Sequence, residues 1–164
     1  MEPVAVGLGD ATLTASGSPL RPGILLDRDG TIIVDHGYVG SINRVEFITG
    51  ASKAIARFNL AEDGAHIDLF AYCPYHPAGV IEAFTRTSQD RKPRPGMAKA
   101  AQAALNLDLS ASWVVGDQHE DIGLAEAVGA SAVYVGADRC ERPGVWSFPS
   151  LAAAAPFILE RIAV

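Results

Sequence analysis

Three aspartates in this chain stand directly after apolar runs. Asp27 and Asp29 follow Gly23-Ile24-Leu25-Leu26, and Asp117 follows Ser112-Trp113-Val114-Val115-Gly116. If both runs are strands of one parallel sheet, its C-terminal edge carries all three carboxylates, and that edge is where open α/β sheets place their ligands. Three acids there repel one another unless a cation sits among them. Oxygen-only ligation suits Mg²⁺, which is commonly accompanied by a phosphate. Taken singly, an Asp after a strand more often begins a turn or caps a helix, so the grouping carries the argument. The cationic stretch Arg91-Lys92-Pro93-Arg94 adds a point charge in Lys92 and a two-donor fork in Arg91. In isolation such a stretch is an ordinary solvated loop.

Elements that would position these groups follow from the pattern. Gly23–Leu26 reads as a buried parallel strand, and Ala51, Ile55, Ala56 and Phe58 mark one side of a helix starting near Gly50. His66–Cys73 reads as a second strand. Pro95-Gly96-Met97 opens a helix running through Leu105, with proline near its first turn. Ser112–Val115 is a third strand, Ile122–Val128 a helix, Ser131–Val135 a fourth strand, and Ser150–Val164 a closing helix with Pro156 near its middle. Strands alternating with helices predict an α/β fold with a mainly parallel sheet flanked by helices. Residues 1–22, rich in glycine, proline and small polar residues, read as an irregular leader before a domain spanning 23–164.

At 164 residues, 49% hydrophobic and 20% charged, the chain suits one domain with a sizeable core. Thirteen basic against nineteen acidic residues leave a net charge of −6, which offers no footprint for nucleic acid or an anionic membrane. Small molecules are the expected partners. Leu151–Leu159 is too short to span a bilayer, no signal peptide is visible, and Cys73 with Cys140 makes no disulfide framework. A cytoplasmic protein is expected, and no heptad or edge pattern demands more than a monomer.

Asp27-Arg28-Asp29-Gly30-Thr31 resembles the first motif of the haloacid dehalogenase (HAD) superfamily of phosphohydrolases. The resemblance implies a HAD-like Rossmannoid domain in which Asp27 attacks phosphorus, Asp29 serves as general acid and then base, and Mg²⁺ offsets the charge between carboxylate and phosphate. Gly116-Asp117-Gln118-His119-Glu120-Asp121 is similar to the fourth motif, with Asp117 joining Asp27 and Asp29 as a metal ligand and Asp121 as a supporting acid. Arg91-Lys92-Pro93 resembles the third motif, in which the lysine steadies the nucleophile and the transferring phosphoryl group. Val34-Asp35-His36-Gly37-Tyr38-Val39 and Cys73-Pro74-Tyr75-His76-Pro77 look like the bacterial heptose bisphosphate phosphatases, with histidinol phosphatases a step further off. By that resemblance Asp35, His36, Gly37 and Tyr38 touch the substrate, and the two-donor fork of Arg91 suits a second phosphate or a sugar oxygen.

Two departures stand out. Many members bind zinc through Cys and His after the Cys-Pro and a Cys-x-Cys before Arg-Lys-Pro, whereas this chain has Tyr75 and Ser88-Gln89-Asp90 at those positions. No zinc is expected. The second motif is also missing, because Phe58-Asn59-Leu60-Ala61-Glu62-Asp63-Gly64 runs straight into the next strand candidate. About 30 residues of strand, loop and helix are absent. His66–Cys73 is then expected to pair beside Gly23–Leu26. A non-catalytic phosphate-binding protein is the alternative this loss raises.

Overall fold

The computed structural model describes residues 19–37, 41–59 and 66–162. Four strands form one parallel sheet: β1 (Ile24–Leu26), β2 (Trp113–Gly116), β3 (Ser131–Val135) and β4 (Val145–Phe148), in that spatial order. Helices α1 (Ala51–Phe58), α2 (Gly96–Leu105), α3 (His119–Val128) and α4 (Leu151–Leu159) cover its two faces. Among the described residues no helix is long and apolar enough to cross a membrane. Most of the leader, residues 1–18, lies outside the described residues.

Side chains alternate across the sheet, and the core divides accordingly. Trp113, Val115, Val133 and Val135 face α1 and α4, packing with Ala51, Ala54, Leu151 and Ile158. Val114 and Ala132 face the other way onto Ala98, Ile122 and Ala125 of α2 and α3. A central strand covered on both faces has no polar side, which is why β2 is buried throughout and reads as an uninterrupted apolar run. α4 is apolar nearly all round because it lies between the sheet and α1. Its start is capped by Ser150, whose Oγ accepts the Ala153 N–H at 3.3 Å.

Two elements differ from the sequence expectation. β4 was not anticipated; its four residues follow an Arg- and Gly-containing stretch, and only packing of Trp146 and Phe148 on Phe157 shows its role. His66–Cys73 forms no strand; it holds a single isolated bridge residue at Phe70. It does not pair with β1, whose ladder runs to β2 alone. A short apolar run reports a chain that can be extended and half-buried, and not a pairing partner. Here Ile67 packs against the α1–α4 core while Phe70 and Tyr72 stay exposed. The ends of the short connection after α1 are tied instead by Asn59, whose Oδ1 accepts the His66 N–H at 3.0 Å. Among the described residues no strand adjoins the outer edge of β1.

Because Leu151 is fully buried where α4 meets α1 and the sheet, Leu151→Ala is expected to cost about 2–5 kcal/mol in urea unfolding. A cost below about 1 kcal/mol would mean that α4 does not close this face.

Candidate active site

Parallel register brings the acids together. Leu26 aligns with Val115, and the Asp27 N–H extends the ladder by donating to the Val115 carbonyl at 2.8 Å. Asp27 therefore stands level with Gly116, and Asp117 follows one residue further along the adjacent strand. Asp121 joins them from the first turn of α3, and the three residues offer carboxylate oxygens within 4.8 Å of one another.

Glycines allow this crowding. Gly30 has φ +78°, and a Cβ there would lie 2.1 Å from Asp117 Oδ2. A Cβ on Gly116 would sit equally close to Asp121 Oδ2, at 2.1 Å. Across the site, Gly123 on α3 lets the loop holding Pro93 approach, since a Cβ there would come within 2.7 Å of the proline ring.

That approach delivers Lys92, whose Nζ donates to both Asp27 Oδ1 and Asp121 Oδ1. Asp121 is 1% exposed, and its other oxygen accepts the Gln118 N–H at 3.1 Å, so both oxygens are engaged. Burial alone pulls the Lys92 ammonium toward neutrality, but Asp121 and Asp27 outweigh it and hold its pKa above the ordinary value. Burial pushes Asp121 up, and Lys92 pulls it part of the way back. Lys92 stays an ammonium, because the carboxylate on either side of it supports the charge. Asp117 is raised by burial, against a hydrogen bond from Gln118 Nε2 at 2.8 Å, and further by Asp27 and Asp35.

Of the carboxylate oxygens in this group, one is buried and unsatisfied. Asp117 Oδ1 is buried with no hydrogen-bond partner, a costly position for a carboxylate oxygen unless a cation meets it. With one ammonium against three carboxylates, the donor set fits a hard divalent cation with oxygen ligands such as Mg²⁺.

Other residues singled out in the sequence occupy varied positions. Asp29 lies outside the group of three, because Arg28 clasps its carboxylate with contacts of 2.8–3.2 Å. Asp121 takes the third place among the acids, a position open to a helix-start residue that the sequence alone reads equally as a solvated cap. Asp35 Oδ1 accepts the Gly37 N–H at 2.7 Å, while His36 faces Glu46 at 3.6 Å. Tyr38 lies outside the described residues. Arg91 Nη1 donates to the Tyr75 carbonyl at 3.3 Å. Sequence reasoning missed the steric roles of Gly116 and Gly123, and no signal short of the folded contacts would have shown them. It also missed that the Thr31 hydroxyl is buried without a partner.

Lys92 bridging a strand-end acid and a helix-start acid, with the second strand-end carboxylate beside them, suits a phosphate-processing site at the sheet edge. A family model described as HAD-hydrolase-like matches residues 89–154. The chain belongs to the HAD-like phosphatases, hydrolases of phosphate esters. It is 35% identical to the D-glycero-beta-D-manno-heptose-1,7-bisphosphate 7-phosphatase of Escherichia coli K12 over 177 residues, covering 87% of this chain and 90% of that one. It is 38% identical to the enzyme of the same name from Yersinia pestis over 141 residues, covering 65% and 75%. In fold it is similar to D,D-heptose 1.7-bisphosphate phosphatase from B. bronchiseptica, solved with magnesium and phosphate, at a TM-score of 0.68 and 23% identity, covering 85% and 98%. The E. coli alignment runs over 177 residues yet takes in only 87% of a 164-residue chain. The relative thus carries sequence that this chain lacks, of the order of one strand-loop-helix unit.

Gly30→Ala and Gly37→Ala separate backbone strain from crowding, because both glycines have positive φ but only Gly30 has atoms near its missing Cβ. Gly37→Ala is expected to cost about 1–2 kcal/mol, the left-handed strain alone. Gly30→Ala should cost clearly more in the same urea titration, by displacing Asp117. Equal costs would show that Asp117 does not depend on the glycine.

Proposed function

We propose that this protein is a Mg²⁺-dependent phosphomonoesterase acting on a small sugar phosphate, with a heptose bisphosphate as the substrate. The observation that carries the reading is Lys92 bridging Asp27 and Asp121 beside the unpartnered Asp117 Oδ1. Asp27 and Asp117 would hold the metal, whose charge lets a carboxylate approach a phosphate.

Asp27 then attacks phosphorus, and the phosphoryl group moves from the substrate oxygen to the carboxylate, giving an aspartyl-phosphate. Lys92 fixes the attacking carboxylate and neutralises charge on the transferring group. Asp121 holds Lys92. Asp29 gives its proton to the leaving alkoxide and later takes one from the hydrolytic water. To do so its carboxylate has to leave the clasp of Arg28 and take up a proton. Asp35, His36, Gly37 and Tyr38, with Arg91, form the substrate side. The names of the curated relatives support a heptose bisphosphate, and the magnesium and phosphate in the B. bronchiseptica structure support the pairing of metal and substrate group.

We also place the start of the domain near Gly23 and read the protein as monomeric, cytoplasmic and free of zinc. The missing segment sets the expected rate. The family's second motif supplies a hydroxyl donor to the phosphate, and losing one hydrogen bond to a charged oxygen costs about 1.5–3 kcal/mol. That alone slows the reaction about ten- to a hundredfold. Among the described residues no strand pairs with the outer edge of β1, which favours a second reading, a phosphate-binding protein without turnover.

Phosphate release from the heptose bisphosphate, with histidinol phosphate alongside, distinguishes these readings. The expected result is slow, Mg²⁺-dependent release, below about 1 s⁻¹, abolished in Asp27→Asn without loss of stability. Release that persists in Asp27→Asn contradicts the nucleophile. An ordinary rate of about 1–10³ s⁻¹ contradicts the reading of the missing segment.

A further inference from the structure

The loop from Cys73 to Arg91 leads directly into the site lysine. Its residues at the four positions where zinc-binding members carry ligands are Cys73, Tyr75, Ser88 and Asp90. They do not gather as ligands. Ser88 Oγ accepts the Asp90 N–H at 3.1 Å and donates to Asp90 Oδ2 at 3.3 Å, while Cys73 Sγ lies 3.7 Å from the Tyr75 carbonyl. Among the described residues the only cluster of three or more potential metal ligands is the acidic group of the active site.

A mostly exposed loop of this length still needs a tie, and Tyr75 supplies one. Its half-buried ring carries the Arg86 guanidinium 3.7 Å above its centre, and the Phe84 ring lies 6.4 Å away at 42°. The His76 N–H donates to the Phe84 carbonyl at 3.0 Å, closing the segment between the rings. On its other side Tyr75 offers its carbonyl to Arg91 Nη1 at 3.3 Å. One residue thus joins the stack to the arginine that precedes Lys92. The guanidinium carries five N–H donors, of which this bond uses one.

We propose that Tyr75 is a positioning residue for Arg91: the Arg86–Tyr75–Phe84 stack fixes the Tyr75 carbonyl, and that carbonyl holds the Arg91 guanidinium at the mouth of the site for a substrate phosphoryl or sugar oxygen. The proposal rests on the functional reading in one respect, that Arg91 meets the substrate. Because the anchor is a ring and a backbone oxygen, the Tyr75 hydroxyl is dispensable. The effect belongs to binding, since Tyr75 acts through Arg91 and not on the acidic group that does the chemistry.

Affinity for inorganic phosphate in the presence of Mg²⁺, measured by calorimetry, tests this together with the split between KM and kcat. Tyr75→Ala is expected to weaken phosphate binding about three- to tenfold and to raise KM by the same factor with kcat little changed. Tyr75→Phe should match the wild type. In an Arg91→Ala background, Tyr75→Ala should have no further effect. Arg86→Ala, at an exposed position, should show the same weakening and serves if Tyr75→Ala does not fold. Unchanged phosphate affinity in the ring-removing variants, equal weakening without Arg91, or a loss shared by Tyr75→Phe would overturn the proposal. Wild-type protein that binds phosphate without turning over substrate sinks the hydrolase reading alone, whereas protein that binds no phosphate overturns both.

Discussion

Lys92, held between Asp27 and Asp121, is the interaction on which the site depends. Three carboxylates this close would repel, and burial makes the repulsion worse by removing the water that screens it. The ammonium offsets part of that cost and ties three chain segments, the end of β1, the loop before α2 and the first turn of α3. Asp121 is the buried member, so removing the lysine would leave a carboxylate stranded at 1% exposure. The pair is better regarded as a device for geometry than for stability, because buried ion pairs often do little more than repay their own desolvation.

The fold supplies what this bridge requires. Parallel pairing in register sets Asp27 and Asp117 side by side, and the short turn through Gly116 lets α3 begin close enough for Asp121 to reach inward. Gly123 removes the side chain that would hold Pro93 and Lys92 away. Each of these is a close approach in which a methyl group would collide, so the charges are placed by backbone sterics before electrostatics refine them. What the arrangement leaves over, an unpartnered Asp117 oxygen, is where a cation would complete the balance.

Much of this was legible in the sequence. The apolar runs before Asp27 and Asp117 marked β1 and β2 within a residue of their observed ends, and Ser131–Val135 is β3 as read. Buried parallel strands betray themselves because both faces must be apolar. The polar first turn of α3 hid its start, so that the helix begins at His119 and not Ile122. β4 was too short to show a period. His66–Cys73 failed for a different reason: its run of apolar residues resembles a strand, but a strand also needs a neighbour, and neighbours are a property of the whole fold. The role of Asp121 stayed open because one residue type at a helix start serves equally as a cap or as the partner of a lysine, and here it does both.

The sequence that the relatives carry and this chain lacks separates two questions that turnover alone would merge: whether Asp27 can receive a phosphoryl group, and how fast. Fluorine NMR with beryllium fluoride, which mimics a phosphoryl group on an aspartate, addresses the first directly. With Mg²⁺ present, the account predicts a bound fluoride signal in the wild type that disappears on chelating the metal and is absent from Asp27→Asn. A wild-type protein that is folded and gives no bound signal, or a signal that survives in Asp27→Asn, would contradict it.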